Sequence, residues 1–291
     1  YMDGHRLKRE IIATAVTNSM VNRMGATFVL RMTEDTGRSP GEVAEAYTIA
    51  REVLDARALW ARIDALDGKV PERVQVDALL VIWHLLRSMA RWLLSRPGAL
   101  PEITDGIARY SAGFAAVRAA MPAALSPQRR AAFEAGRDAW VAAGLEAGFG
   151  GELAALPMLE FGHDIVEIAH DRKLPPVDVA RAYFALGAAL HLPWLYEQIE
   201  ALPVDGRWQA MARGSLHEEL GTQQRALVRQ ILAAPGKAAP EEKVQAWLRR
   251  EDATLRFTQS MLAELVAQKT LDYPTASVAV RRLAQVAQAA G

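Results

Sequence analysis

The chain contains no cysteine, which excludes a disulfide framework and any thiolate-held metal and is compatible with a reducing cytoplasm. It has no net charge, because 34 Lys and Arg are matched by 34 Asp and Glu. Without a basic stripe there is no field to draw in nucleic acid or an anionic membrane surface. Long apolar runs are missing as well. The longest, ALLVIWHLL from Ala78 to Leu86, is about half a membrane span and is closed by Arg87. No charged-then-apolar leader opens the chain, and its first residues, Tyr1 and Met2, suggest a piece cut from a longer protein. The expectation is a cytoplasmic protein that spans no membrane and binds no nucleic acid.

What is present is helical periodicity almost throughout. A first helix is expected over His5–Thr36, with Leu7, Ile11, Ile12, Val16, Met20, Met24, Phe28, Leu30 and Met32 as its apolar positions and Gly37 as a left-handed cap. The stretch SPGE then starts another helix: Ser39 caps, Pro40 takes the first turn and Glu42 reaches back to close a capping box. In a long helix from Pro71 to Ser95, Leu79, Ile82, Leu86, Met89 and Leu93 recur at alternating spacings of three and four, a seam suited to packing between helices. Ser126 and Pro127 start a further helix in the same way.

Two stretches read almost alike: GEVAEAYTIAREVLDARALWARIDAL from Gly41 and VDVARAYFALGAALHLPWLYEQIEAL from Val177. Val43 corresponds to Val179, Tyr47 to Tyr183, Leu54 to Leu190, Leu59 to Leu195, Ile63 to Ile199 and Leu66 to Leu202; upstream, Val29 and Met32 correspond to Ile165 and Ile168. The matched residues are mainly apolar or mark helix boundaries, which is what shared packing preserves when surfaces diverge. The glycine-rich GFGGEL, Gly148–Leu153, lies near the midpoint and reads as a boundary. The expected fold is therefore all-α, a bundle of about 12 helices built from two tandem, weakly similar six-helix units over residues 1–147 and 148–291, able to pack as one compact domain.

Reactive constellations are few. In LEFGHDIVEIAH, Glu160, His163, Glu167 and His170 fall on one face of a continuous helix. Paired Glu-x-x-His motifs resemble di-metal helical bundles, but there the pairs come from different helices. Ile165 and Ile168 occupy the opposite, core-facing side, so a solvated face is favoured over a metal site for these four residues, with His163→Ala nearly neutral and Ile165→Asp strongly destabilising. GFGGE lacks the preceding strand and the third glycine of a dinucleotide fingerprint. No G-x-x-x-x-G-K-[ST], G-x-S-x-G or H-E-x-x-H pattern occurs. Ser215 and His217 would point apart on a helix. Trp83, Trp194 and Trp247 read as core or junction residues, and HRLKRE from His5 as a solvated helix start. No catalytic, cofactor-binding or metal residue is assigned.

The most specific text is GHRLKREIIATAVTNSMVNRMGATFVLRMTEDTGRSPGEVAEAYTIAREVLD, beginning at Gly4. It resembles the C-terminal helical region of the large bacterial NAD-specific glutamate dehydrogenases, most clearly over Gly4–Leu66. The resemblance implies a parent enzyme that converts L-glutamate, NAD and water to 2-oxoglutarate, ammonia and NADH. It further implies that the substrate lysine and the NAD-binding domain lie upstream of this region. The fragment is then expected to be inactive alone, to bind no NAD, and to act as a structural, oligomerisation or regulatory scaffold whose partners are the catalytic region of the same chain and sister subunits of a homo-oligomer. Within the matching string, Asn22, Arg23 and Gly25 are the non-apolar residues given a structural or interdomain role: Gly25 through close helix approach, Asn22 and Arg23 through hydrogen bonds to a neighbouring element. The alternative, motivated by the duplication alone, is a freestanding helical-repeat protein-interaction module.

Overall fold

The computed structural model describes residues 5–289, so the opening Tyr1 and Met2 and the glycine at position 4 lie outside the described residues. Among the described residues there is no strand, and the chain is all-α. No helix among them is long and apolar enough to cross a membrane. The chain divides into two compact units, residues 1–119 with 132–163, and residues 120–131 with 164–291.

The first unit contains α1 (Lys8–Met24), α2 (Phe28–Thr36), α3 (Pro40–Val53), α4 (Ala56–Asp64), α5 (Glu72–Ser95) and α6 (Ile103–Ala120), the greater part of α7 (Pro127–Ala142), and α8 (Ala147–Ala155) with a 3-10 turn over Leu156–Phe161. Helix α3 lies along α5, and α4 packs on both. Of the expected seam of α5, Ile82, Leu86, Met89 and Leu93 are buried and Leu79, near the start of the helix, is half-buried. Helix α3 begins as its sequence dictates. Ser39 Oγ accepts from the Glu42 amide at 3.3 Å while a Glu42 carboxylate oxygen accepts from the Ser39 amide at 2.9 Å, so two amides without helical partners are satisfied reciprocally.

The first helix does not run unbroken from His5 to Thr36. Gly25 takes φ +91° and its amide closes the last turn of α1 on the Val21 carbonyl, a backbone state that side chains with a Cβ resist. A Cβ on Gly25 would meet nothing within 4 Å. The glycine is there to end a helix, and the close approach expected of it is corrected accordingly. The glycine-rich Gly148–Leu153 is not a linker either. It is helical, and Glu152 in α8 receives Arg62 of α4 and Arg118 of α6, so the stretch belongs to the first unit. Among the described residues there are fifteen α-helices rather than about twelve.

The second unit holds α9 (Gly162–Arg172) from its third residue, α10 (Pro176–Ala189), α11 (Leu192–Glu200), α12 (Arg207–Ala233), α13 (Pro240–Leu248), α14 (Ala253–Gln268) and α15 (Tyr273–Ala289). Helix α10 packs on α12 and α13, and α15 packs on α12 and α14. Helices α10 and α11 have the same lengths, 14 and 9 residues, as α3 and α4. Both pairs turn on a non-glycine residue in the left-handed region, Asp55 at φ 52° and His191 at φ 53°. Val43, Tyr47, Leu54, Leu59 and Ile63 are all buried, as are Val179, Tyr183, Leu190, Leu195 and Ile199.

Candidate functional site

The four residues expected on one solvated face stand in different surroundings. Glu160 belongs to the 3-10 turn that ends at Phe161, so the expected helix is not continuous there, and its side chain is half-buried. That turn can close because Gly162 has no side chain; a Cβ there would sit 2.6 Å from the Phe114 ring. Every residue from Phe161 to Ala169 is buried. His163 is 8% exposed and stacks on Trp92 with ring centroids 4.7 Å apart, while Glu167 is 3% exposed. Only His170 is at the surface, with its Nδ1 3.8 Å from Asp171. The solvated-face assignment is thus corrected for His163 and Glu167. Among the described residues, no three His, Asp or Glu side chains converge in a way that could hold a metal ion.

The acid that matters in this helix is Asp164, between His163 and Ile165. At 2% exposure it accepts from the Arg225 guanidinium of α12 at 2.8 Å and from the Tyr183 hydroxyl of α10 at 3.1 Å. Gln224 donates to the Tyr183 backbone carbonyl at 3.3 Å. A carboxylate this deep is held only by such partners. Burial pushes the Tyr183 hydroxyl well above its ordinary range, and the neighbouring Asp164 charge pushes it further. For Arg225, burial acts downward, but the attraction of Asp164 outweighs it and the net shift is upward. The chemistry is that of a locked pair: the protonated Tyr183 hydroxyl and the Arg225 guanidinium both donate to Asp164. The sequence held one signal of it, an Asp directly beside the expected core position Ile165, but the Arg225 partner is 61 residues away and carries no motif.

In the first unit, α1, α3 and α4 border a groove of about 720 Å³. Its α1 wall presents Ile12, Ala15, Val16, Ser19, Asn22 and Arg23, spaced so as to share a face, and opposite stand Arg51 and Trp60. Ser19 Oγ lies 2.9 Å from the Tyr47 hydroxyl and accepts from Arg51 at 3.3 Å. Arg51 in turn holds Glu52 at 2.8 Å. Arg23 lies over the Trp60 ring, 4.8 Å from its centroid, and reaches Asp64 at 3.5 Å. Arg23 thus meets Asp64 at the end of α4, and Asn22 is exposed on the groove wall. Its cations are balanced by acids, and no nucleophile is paired with a base.

An NAD pyrophosphate is held where a strand turns into a helix on glycines. Here the Gly148–Gly151 cluster lies within helix α8, with no strand before it among the described residues, so these glycines form no dinucleotide turn.

Residues 1–285 match the family model described as "Glutamate dehydrogenase, C-terminal". The chain is 32% identical over 288 residues to an NAD-specific glutamate dehydrogenase of Halomonas elongata, covering 99% of this chain and 18% of that protein. It is 35% identical over 289 residues to the protein of the same description in Pseudomonas aeruginosa, and 26% identical over 293 residues to that of Mycobacterium tuberculosis, again covering 99% of this chain and 18% of each relative. The chain therefore spans under a fifth of the length of the curated relatives it matches.

Proposed function

Because the chain belongs to the glutamate dehydrogenase C-terminal family, we propose that it is the helical C-terminal segment of an NAD-specific glutamate dehydrogenase, contributing to assembly and to the posture of the catalytic region rather than to the reaction. The observation that carries this reading is the match along nearly the whole chain to relatives more than five times as long. An all-helical architecture whose only glycine cluster is built into a helix supports it. In this reading glutamate, NAD and the reacting groups are held upstream, the whole enzyme is a cytoplasmic homo-oligomer of amino-acid catabolism, and the segment binds no cofactor itself. Asn22 and Arg23 serve its contacts.

The test has two arms. The isolated 291-residue chain is expected to show no glutamate-dependent NADH formation and no NAD binding by calorimetry; turnover by the pure chain ends the proposal. The full-length enzyme lacking this segment is expected to change in oligomer size or in glutamate kinetics, and an unaltered enzyme argues for a dispensable appendage. A tandem duplication, and with it the second reading as a helical-repeat interaction module, is supported by α3–α4 and α10–α11, with their equal lengths and matching left-handed joints.

A further inference from the structure

Helix α1 is buried towards its C-terminal end. There Met20 and Met24 are buried, Ser19 meets Tyr47 and Arg51, and the Met24 carbonyl accepts from the Trp83 indole at 2.9 Å. Its N-terminal half carries exposed apolar side chains. Leu7, Ile11 and Ile12 are 46%, 40% and 44% exposed, and Val21, further along, is 40% exposed. Scattered exposed apolar residues are ordinary, but a contiguous set beside a groove marks an interaction surface. The groove adds Ala15, Val16 and Trp60 to the apolar part, with Asn22, Arg57 and Asp64 at its edge. An apolar centre, a tryptophan–arginine anchor and a polar rim are the anatomy of a protein interface.

We propose that the groove between α1, α3 and α4, with the free face of α1, is the docking surface for the part of the same polypeptide that precedes α1 in the full-length enzyme, an inference that rests on the function proposed above. The argument for this occupant is length. More than four-fifths of each matched relative lies outside the region shared with this chain, and the family's description as C-terminal puts that remainder ahead of α1. A preceding segment is tethered at the uncovered end of α1, so its effective concentration there far exceeds that of any free partner. An amphipathic segment bringing apolar side chains to Ile12, Val16 and Trp60, and hydrogen-bonding groups to Asn22 and Arg57, fits the wall.

Amide hydrogen exchange tests this in the full-length enzyme and in the 291-residue chain. Exchange over Lys8–Ser19 should be slower by about tenfold or more in the full-length enzyme, and Ile12→Glu should abolish that protection. The same substitution should leave the helical content and melting of the 291-residue chain unchanged, since Ile12 is 44% exposed there. Leu80→Glu, at a 47% exposed apolar site on α5 outside the groove, should leave α1 protection intact. Equal exchange in the two proteins overturns the docking surface even where deletion of the whole segment still disturbs the enzyme, so the two proposals fail separately. Protection that instead appears in the 291-residue chain as its concentration rises assigns the groove to a second copy and also overturns the proposal.

Discussion

The helix pairs α3–α4 and α10–α11 differ least where they are apolar and most where they are polar. Each centres on a fully buried tyrosine, Tyr47 or Tyr183. Tyr47 shares its hydroxyl with Ser19, and Arg51 adds a charge that is already paired with Glu52. The Tyr183 hydroxyl donates to a buried carboxylate whose countercharge comes from another helix. The first network is neutral at its centre and can lose a member to water. The second is ionic and closed, so removing one partner strands another. The difference shows that equal packing does not imply equal tolerance.

The largest expected effect comes from breaking the closed network. Asp164→Ala should cost about 3–5 kcal/mol in urea unfolding, because Arg225 is left charged without its partner, whereas Ser19→Ala should cost about 1 kcal/mol. Equal losses would erase the distinction between the two networks. Ile165→Asp, which puts an unpaired charge at a site with no exposure, should likewise cost several kcal/mol. His163→Ala comes next, at about 1–2 kcal/mol for the loss of a buried ring packed on Trp92; a neutral result would restore the solvated face that the sequence suggested.

Smaller effects sharpen the comparison through pH. The folded state keeps Tyr183 protonated beyond its ordinary range. Its contribution is therefore complete below about pH 10 and lost as pH rises past that. Tyr183→Phe should cost about 1 kcal/mol at neutral pH and flatten this alkaline decline, which pH-dependent urea titration would show. At the acid end, hydrogen bonds from the Ser39 backbone and side chain hold the Glu42 carboxyl below its ordinary value of 4.5. The capping-box contribution is thus present above that value and fades as the pH falls through the lowered one. Ser39→Ala should cost about 1 kcal/mol. Helix α10 starts at Pro175 with no side-chain cap and should show no corresponding acid dependence.

Much of the fold was legible because apolar spacing and capping text are local. The Ser39 box forms as its text dictates, and most of the α5 seam and of the paired apolar positions are inside. The misreadings share a cause, which is that geometry between residues is invisible in spacing when the winding changes. A 3-10 turn interrupted the expected helix between Glu160 and His163. A single torsion at Gly25 cut one expected helix in two. The Asp164–Arg225 pair spans 61 residues, and neither member announces the other. The groove beside α1 was half legible: Asn22 and Arg23 were singled out, but Trp60 and Arg51, which complete it, looked like ordinary helix residues.

The joints at Asp55 and His191 extend this lesson. Each elbow is set by the torsion of one residue in a region where a Cβ is strained, at about 1–2 kcal/mol, and neither side chain caps the helix that follows. The bend is thus written in the main chain, with the Arg118 guanidinium on the Leu54 carbonyl beside the first elbow. Surface residues around either elbow are free to drift, and glycine at either joint should relieve the strain and raise the melting temperature without altering the angle between the rods.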